Sequence, residues 1–479
     1  MNYRMIKYTL GWLSLFEAAF FLLPMLTAVI YGEWKMLFAF FICALICLGI
    51  GGLCIIKKPE KTTIYAREGF VIVSLSWILL SILGALPFIL CGATTSFVDA
   101  LFETASGFTT TGSSIFREVE SLPKAILMWR SFTHWIGGMG VLVFIMAFLP
   151  LGGGQNMHIM RAESPGPEVS KLVPKVKQTA LILYSIYFAL TVIQTVTLLI
   201  SGMSFFEAIN TAFSTAGTGG FGIRNDSFAS FSAVQQIIVT IFMLVFSINF
   251  NSYYLALRLK FKDAFNAEVR AFLLIVTAAI AVVTINIHQS YGSVGEALRH
   301  AAFSVSSLIS TTGFATENFD LWPALSKTVL VLVMFIGACA GSTGGGMKVS
   351  RILIIFKGFI REIYTLIHPK QVKKISIDKR PVDREVVRSV NAYLACYILV
   401  FAISLLLITL DNRDLVTNFT AVAATINNIG PGLSEVGPAA NFADFSVFSK
   451  LVLTFNMIAG RLELFPMLIL FSPATWKKK

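Results

Sequence analysis

The amino-acid sequence predicts an all-α polytopic membrane protein. Four pseudo-symmetric units, each of span, re-entrant half-helix, loop and span, are expected around one central axis, preceded by two further N-terminal helices. Three observations predict this. The chain is 56% hydrophobic, with 42 phenylalanines, a mean hydropathy of +0.76 and only 13% charged residues, whereas soluble domains carry about 25% charged residues. Long apolar runs recur at the ~20 residues a helix needs to cross a bilayer. Four short hydroxyl- and glycine-rich loops also resemble one another: FTTTGSS around Gly112, GTGGFG around Gly220, STTGFA around Gly313 and NNIGPG around Gly430.

Spans are predicted at 9–31, 36–56, 69–91, 127–150, 178–201, 234–256, 271–288, 328–347, 390–410 and 449–471. The first apolar run is long and lacks a small-residue cleavage site, so it reads as a retained helix. Residues 1–62 form a two-helix extension. The four units follow at 63–165, 166–262, 263–380 and 381–479, the third with a glycine-broken last helix and a basic segment. Stretches near 97–108, 205–215, 295–308 and 415–426 are too short or too polar to cross and read as half-helices. Asp99-Ala100 and Glu207-Ala208 lie 13 and 12 residues ahead of Gly112 and Gly220. Ser106, Ser214 and Ser307 each lie six ahead of their glycine, and Ala424 holds that place in the fourth unit. Shared spacing on helices means shared faces. Because the units point the same way, they suit a ring; inverted-repeat transporters alternate the direction of their repeats.

Charge sets the orientation. With the N-terminus inside, segments 57–68, 151–177, 257–270 and 348–389 and both termini share one side, which holds 28 of the 38 Lys and Arg residues. The side with the glycine loops holds six: Arg117, Lys124, Arg224, Arg299, Lys327 and Arg413. The positive-inside rule therefore puts the termini in the cytoplasm and the loops outside. The net charge of +12 is a topology and membrane-surface signal, and no nucleic-acid partner is needed to explain it. The six cysteines form no CxxC pair and read as small hydrophobes within helices. No catalytic triad, metal cluster or carboxylate pair in a soluble pocket is visible, so no enzyme is expected.

The loops carry the chemistry. A dehydrated monovalent cation needs several oxygens, and backbone carbonyls supply them without fixed charge. Glycine admits backbone conformations closed to other residues, so successive carbonyls can turn inward. Non-helical backbone at membrane depth is tolerated only where protein or a water-filled cavity covers it. No Asp or Glu lies in the four loops, which argues against a divalent-cation filter. Four helix–pore-loop–helix units about one central pore are the reading; close-packing or capping glycines are the bland alternative.

The layout resembles the Trk/Ktr/HKT superfamily of potassium-translocating subunits, and most of all its bacterial TrkH/TrkG branch. The likeness covers essentially the whole chain and rests on the four loops, GACAGSTGGGMKVSRIL (337–353), NNIGPGL (427–433) and GRLELF (460–465). It implies potassium as substrate, a bacterial inner-membrane location, a homodimer and a cytoplasmic TrkA-type nucleotide-binding regulatory partner. Filter oxygens would come from the backbone around Thr110, Thr111, Gly112 and Ser113; Thr218, Gly219, Gly220 and Phe221; Thr311, Thr312, Gly313 and Phe314; and Asn428, Ile429, Gly430 and Pro431. The second and fourth loops depart from the TVGYG of ordinary potassium channels.

Two outliers lie outside the loops. The span 328–347 breaks at Gly341, Ser342, Thr343, Gly344, Gly345, Gly346 and Lys348, where each glycine costs a helix roughly 1 kcal/mol against alanine. Met347 before Lys348 and Val349 in place of Ser or Thr exclude a phosphate loop, and no strand precedes it. The break is either a structural kink or a flexible loop under the filter; the family counterpart implies a gate. Arg461 sits inside the span 449–471, where a charge costs roughly 2.5–3.5 kcal/mol. It either lines the pore or pairs with a buried acid such as Glu17 or Glu103. His134, beside Trp135 and Arg130, reads as an interfacial anchor, with a proton relay as the other reading. The Gly137-Gly138-Met139-Gly140 cluster reads as close helix packing. The basic segment 348–389 suits anionic lipid or a docked partner. Two classes of function remain open: a gated, channel-like potassium pore, and a symporter coupling potassium to protons or sodium by alternating access. An organic-solute transporter does not suit the repeated loops.

Overall fold

Among the described residues of the computed structural model, six helices are long and apolar enough to cross a membrane, and a seventh candidate is a pair bent by 91°. The structure describes residues 1–60, 65–140, 176–371, 374–378 and 380–477. The end of the predicted span 127–150 and nearly all of segment 151–177 lie outside these residues. The chain is a multi-pass helical membrane protein.

The opening helices are α1 (Tyr3–Phe20), running directly into α2 (Leu22–Ile30), and α3 (Trp34–Ile55). The first unit comprises α4 (Ala66–Leu90), the half-helix α5 (Phe97–Phe108) and α6 (Lys124–Gly138). The second comprises α7 (Val176–Ile200), the half-helix α8 (Phe205–Ala216) and the bent pair α9 (Ala233–Ser247) and α10 (Phe250–Leu257). In the third, α11 (Ala267–Ile287) and the half-helix α12 (Val294–Ile309) precede α13 (Ala324–Ile336) and α14 (Val349–Ile367). A two-residue hairpin of β1 (Ser376–Ile377) and β2 (Arg380–Pro381) follows. The fourth has α15 (Arg384–Ile408), the half-helix α16 (Leu415–Ile426), α17 (Val447–Arg461) and α18 (Phe465–Leu470).

Each half-helix starts where its sequence says it should. Ser96, Ser204, Ser293 and Asp414 accept backbone N–H bonds from the first turns of α5, α8, α12 and α16, satisfying donors a helix start leaves free. The half-helices are so thoroughly buried because each is packed on several sides. Within its own unit, α5 touches α4 and α6, α8 touches α7 and α9, α12 touches α11 and α13, and α16 touches α15 and α17. Between units, α6 meets α8, α9 meets α12, α13 meets α16, and α17 returns to α5. These contacts close on themselves.

The closing helices differ from the sequence reading. A break was expected only in the third unit, yet α6, α9 and α17 stop after 15 residues and α13 after 13. The causes are local: Gly138 beside Gly140, Asn249 turning its side chain onto the Asn251 N–H, the glycine run, and Glu463-Leu464 with φ of +56° and +67°. The ends of the chain meet, the Tyr3 hydroxyl donating to the Trp476 carbonyl at 2.9 Å.

Candidate functional site

All four half-helices end in one backbone motif. Thr111, Gly219, Thr312 and Ile429 donate their N–H groups five residues back, to the carbonyls of Ser106, Ser214, Ser307 and Ala424, at 2.8–2.9 Å. The preceding residues, Thr110, Thr218, Thr311 and Asn428, are left-handed, with φ of 56°, 55°, 61° and 55°. A helix end of this kind normally uses glycine, and a left-handed β-branched residue costs roughly 1–2 kcal/mol. Strain at three matched threonines, with the more tolerant Asn428 in the fourth place, points to function. The recurring hydroxyl residues of these loops are part of the sequence signal, but their left-handed backbone is visible only in the structure.

Gly112, Gly220, Gly313 and Gly430 are left-handed as well, with φ of 82°, 79°, 85° and 104°. Their small size matters as much as their conformation. A Cβ on Gly112 would strike the Gly219 carbonyl, one on Gly220 the Thr312 carbonyl, and one on Gly313 the Ile429 carbonyl. One on Gly430 would press within 2.9 Å of the Thr111 carbonyl. Each loop thus backs onto the peptide before the next loop's glycine, always in the same sense, and the fourth returns to the first. The four glycines line one cavity of about 140 Å³, together with Ser113, Phe221 and Pro431.

Beyond the ring the loops are held differently. The Ser214 and Ser307 hydroxyls donate to the Phe221 and Phe314 carbonyls at 2.9 and 2.6 Å. In the first loop Ser113 instead donates to the Gly430 carbonyl at 3.1 Å. The fourth has no hydroxyl at Ala424, and Pro431 fixes the local φ. The Asn428 amide donates to Thr111 Oγ1 at 3.0 Å and to the Met457 carbonyl at 2.8 Å.

Two residues behind the loops carry more than the sequence suggested. His134 is fully buried, which does not suit the interfacial anchor expected of it. Its Nδ1 lies 2.7 Å from the Gly107 carbonyl, and its Nε2 accepts the Phe221 N–H at 3.2 Å. A carbonyl only accepts, so the proton sits on Nδ1, and the ring ties the first half-helix to the second loop. Arg130 pairs with buried Glu103 at 2.8 Å, donates to the Gly222 carbonyl at 3.2 Å and lies 4.2 Å from the centre of the Phe221 ring. Glu103 also accepts from the Ser114 hydroxyl and the Ile115 N–H. A charge of each sign in otherwise apolar helices was the missed signal.

The glycine break is a folded-back, bonded loop, neither a kinked helix nor a free strand. Gly337, Gly341, Gly346 and Lys348 are left-handed. The Gly345 N–H donates to Thr311 Oγ1 at 2.6 Å, and the Gly346 N–H to the Asn427 carbonyl at 3.1 Å. The loop therefore lies against the C-terminal ends of the third and fourth half-helices. Its far side is strapped to α9, where Phe246 accepts from Thr343 and Ser247 from Cys339. Lys348, buried, donates to the Gly344 carbonyl.

Arg461 takes neither acid expected of it. Glu103 belongs to Arg130, and Glu17 is fully buried on α1 with no hydrogen-bond partner among the described residues. Arg461 donates instead to the Thr343 carbonyl at 2.8 Å, and to the Gly137 and Gly138 carbonyls at 2.5 and 2.6 Å. It joins the glycine loop to the broken end of α6, so the Gly137–Gly140 cluster exposes carbonyls as well as packing closely. Among the described residues no group of three His, Cys, Asp or Glu side chains gathers to hold a metal.

Comparison with known proteins agrees with this architecture. A family model described as TrkH, cation transport protein, matches residues 36–478. The Trk system potassium uptake protein TrkH of Halomonas elongata is 36% identical over 100% of both chains. The TrkH protein of Escherichia coli (strain K12) is 37% identical over 100% of both, and its TrkG protein 34% over 99% of both. The crystal structure of the potassium transporter TrkH from Vibrio parahaemolyticus superposes with a TM-score of 0.90 at 35% identity, covering 100% of each chain.

Proposed function

This chain belongs to the TrkH family of cation transport proteins, and from that membership we propose that it carries potassium into a bacterial cell through one gated, channel-like pore. The four units surround the pore, and the backbone of residues 110–113, 218–221, 311–314 and 428–431 forms its filter. One observation carries the reading: each of four left-handed glycines backs onto the carbonyl of the next loop, and the sequence of contacts closes. A closed ring of peptide groups around a shared cavity is what a partly dehydrated cation requires. The half-helix C-termini add partial negative charge from four sides.

The gate is the loop from Gly341 to Lys348, with Arg461 as its latch. The loop bonds to the C-terminal ends of two half-helices, where an ion leaving the filter would emerge. Arg461 adds a positive charge there, lowering cation occupancy while the loop stays in place. With the positive-inside orientation the termini and the basic segment face the cytoplasm. The homodimer and the nucleotide-binding TrkA-type partner are proposed on family grounds, the partner meeting the basic segment 348–389. The family is one of transport proteins, so no catalytic step is assigned.

Purified protein in a planar bilayer tests the mechanism. Unitary currents reversing at the potassium Nernst potential are expected. A reversal that follows the proton or sodium gradient would replace this reading with symport.

A further inference from the structure

We propose that Glu268 is a clasp that holds the glycine loop closed, and that Asp378 in the basic hairpin holds the clasp in position. Both are positioning residues, and the proposal rests on the gate reading above. Glu268 lies in the first turn of α11, outside the four closing helices. A single carboxylate oxygen accepts the Ala340 N–H at 2.7 Å and the Ser350 N–H at 3.0 Å. Those donors flank the loop, one ahead of the glycine run and one in the first turn of α14. One atom therefore draws the two ends of the loop together. The other straps, from Thr311, Asn427, Phe246 and Arg461, hold its interior. Among the described residues, Glu268 is the one side chain bonded to both flanks. An oxygen acceptor suits the task, because the Ser350 N–H is a donor the helix start leaves free.

The clasp is itself held from the hairpin. Asp378, in the turn between β1 and β2, accepts the Ala267 N–H with both carboxylate oxygens, at 3.0 and 2.9 Å, and pairs with Arg270 at 3.0 Å. Ala267 directly precedes Glu268. Anything that lifts the hairpin removes the acceptor of the Ala267 N–H, beside the Asn266 cap that α11 keeps, and so loosens the seat of Glu268. A cytoplasmic partner could therefore act on the loop without touching it.

Cys339 is a built-in reporter, because it is completely buried at the base of the loop. With Cys43, Cys47, Cys54, Cys91 and Cys396 replaced by alanine, its maleimide labelling rate in proteoliposomes reads loop release. Glu268→Ala is expected to label roughly tenfold faster or more. Glu268→Gln, which keeps an amide oxygen as acceptor, is expected to stay within about threefold of the parent. Asp378→Ala is expected to accelerate labelling several-fold, and Asp378→Asn less. Unchanged labelling in a folded Glu268→Ala protein would overturn the clasp; if that variant does not fold, parent-like labelling in Asp378→Ala overturns the relay. Potassium flux on the same samples separates the two readings. Fast labelling without increased flux leaves the clasp standing and removes the gate. Parent-like labelling beside increased flux on loop deletion removes the clasp and keeps the gate.

Discussion

Replacing Gly220 with alanine should damage transport far beyond its effect on folding, and Gly202 is the control that shows why. Both glycines are left-handed, with φ of +79° and +88°. Alanine at either therefore carries the left-handed penalty of roughly 1–2 kcal/mol. Around Gly202, in the turn after α7, nothing lies within 4 Å of an added Cβ, whereas at Gly220 the Cβ would run into the Thr312 carbonyl. That carbonyl cannot yield cheaply, because the N–H of the same peptide, that of Gly313, is bonded to the Ser307 carbonyl at 3.2 Å. Overpacking adds roughly 1–3 kcal/mol, and the third loop takes up the strain. At about tenfold per 1.4 kcal/mol, the intact ring would lose roughly five- to 150-fold in relative population. Potassium uptake per folded protein in proteoliposomes, with potassium-over-sodium preference, is the assay, alongside melting temperature. Gly202→Ala should lower stability and leave uptake per folded protein unchanged. Gly220→Ala should cut uptake or preference by at least about fivefold. Equal uptake in the two variants would refute the ring as the reason for glycine here.

Deleting Gly344–Gly346 should raise potassium conductance, and Arg461→Ala should raise it less, since the loop keeps its bonds to Thr311 and Asn427; reduced current in folded protein would count against a gate. Glu103→Gln should destabilise by roughly 3–5 kcal/mol, because it leaves Arg130 buried without its charge partner, and thermal unfolding in detergent measures it. A double variant replacing both residues with apolar ones of similar size should recover much of that loss. Asp414 gives a pH dependence of stability. Its carboxylate is held below the usual aspartate range by the Thr417 hydroxyl and N–H, with Ser434 and the Val416 N–H adding to this. A depressed folded value means the stabilisation is present above the unfolded value, near pH 3.9, and is lost as pH falls through the folded one. Asp414→Asn keeps the helix cap and should flatten the stability profile below about pH 4; an unchanged profile would remove Asp414 from the account.

The half-helices were legible in the sequence because two signals coincide there: stretches too short or too polar to cross, and a repeated loop at the end of each. Observed bounds of Phe97–Phe108 and Leu415–Ile426 coincide with the expected ones, Phe205–Ala216 is one residue longer at its end, and Val294–Ile309 one residue longer at each end. The breaks in α6, α9 and α17 were not legible. A single Asn249, or a Glu463-Leu464 pair, is common in continuous helices, and only the left-handed backbone and the tertiary bonds reveal the interruption. Arg461 was recognised as costly, but its partners are backbone carbonyls from two other units, and no residue pattern announces those. His134 was misread because Trp135 and Arg130 beside it imitate an interface, whereas the Glu103 that neutralises Arg130 lies 27 positions away. Long-range pairing, rather than local propensity, is what composition and spacing leave out.

The shortness of the closing helices has an electrical consequence. Fifteen residues of α-helix rise about 22 Å, against a hydrocarbon layer about 30 Å thick. Where α13 stops, the proposed ion path is bordered by the glycine loop, polar non-helical backbone in place of apolar helix wall. The membrane voltage falls mainly across the poorly conducting part of such a path, so it is concentrated over the ring of loops and the glycine loop behind it. A unit charge crossing a potential of 100 mV changes energy by about 2.3 kcal/mol. On the proposed path most of that work is done within a few peptide units of the four glycines, and the resting potential would pull the transported ion onto the proposed gate loop.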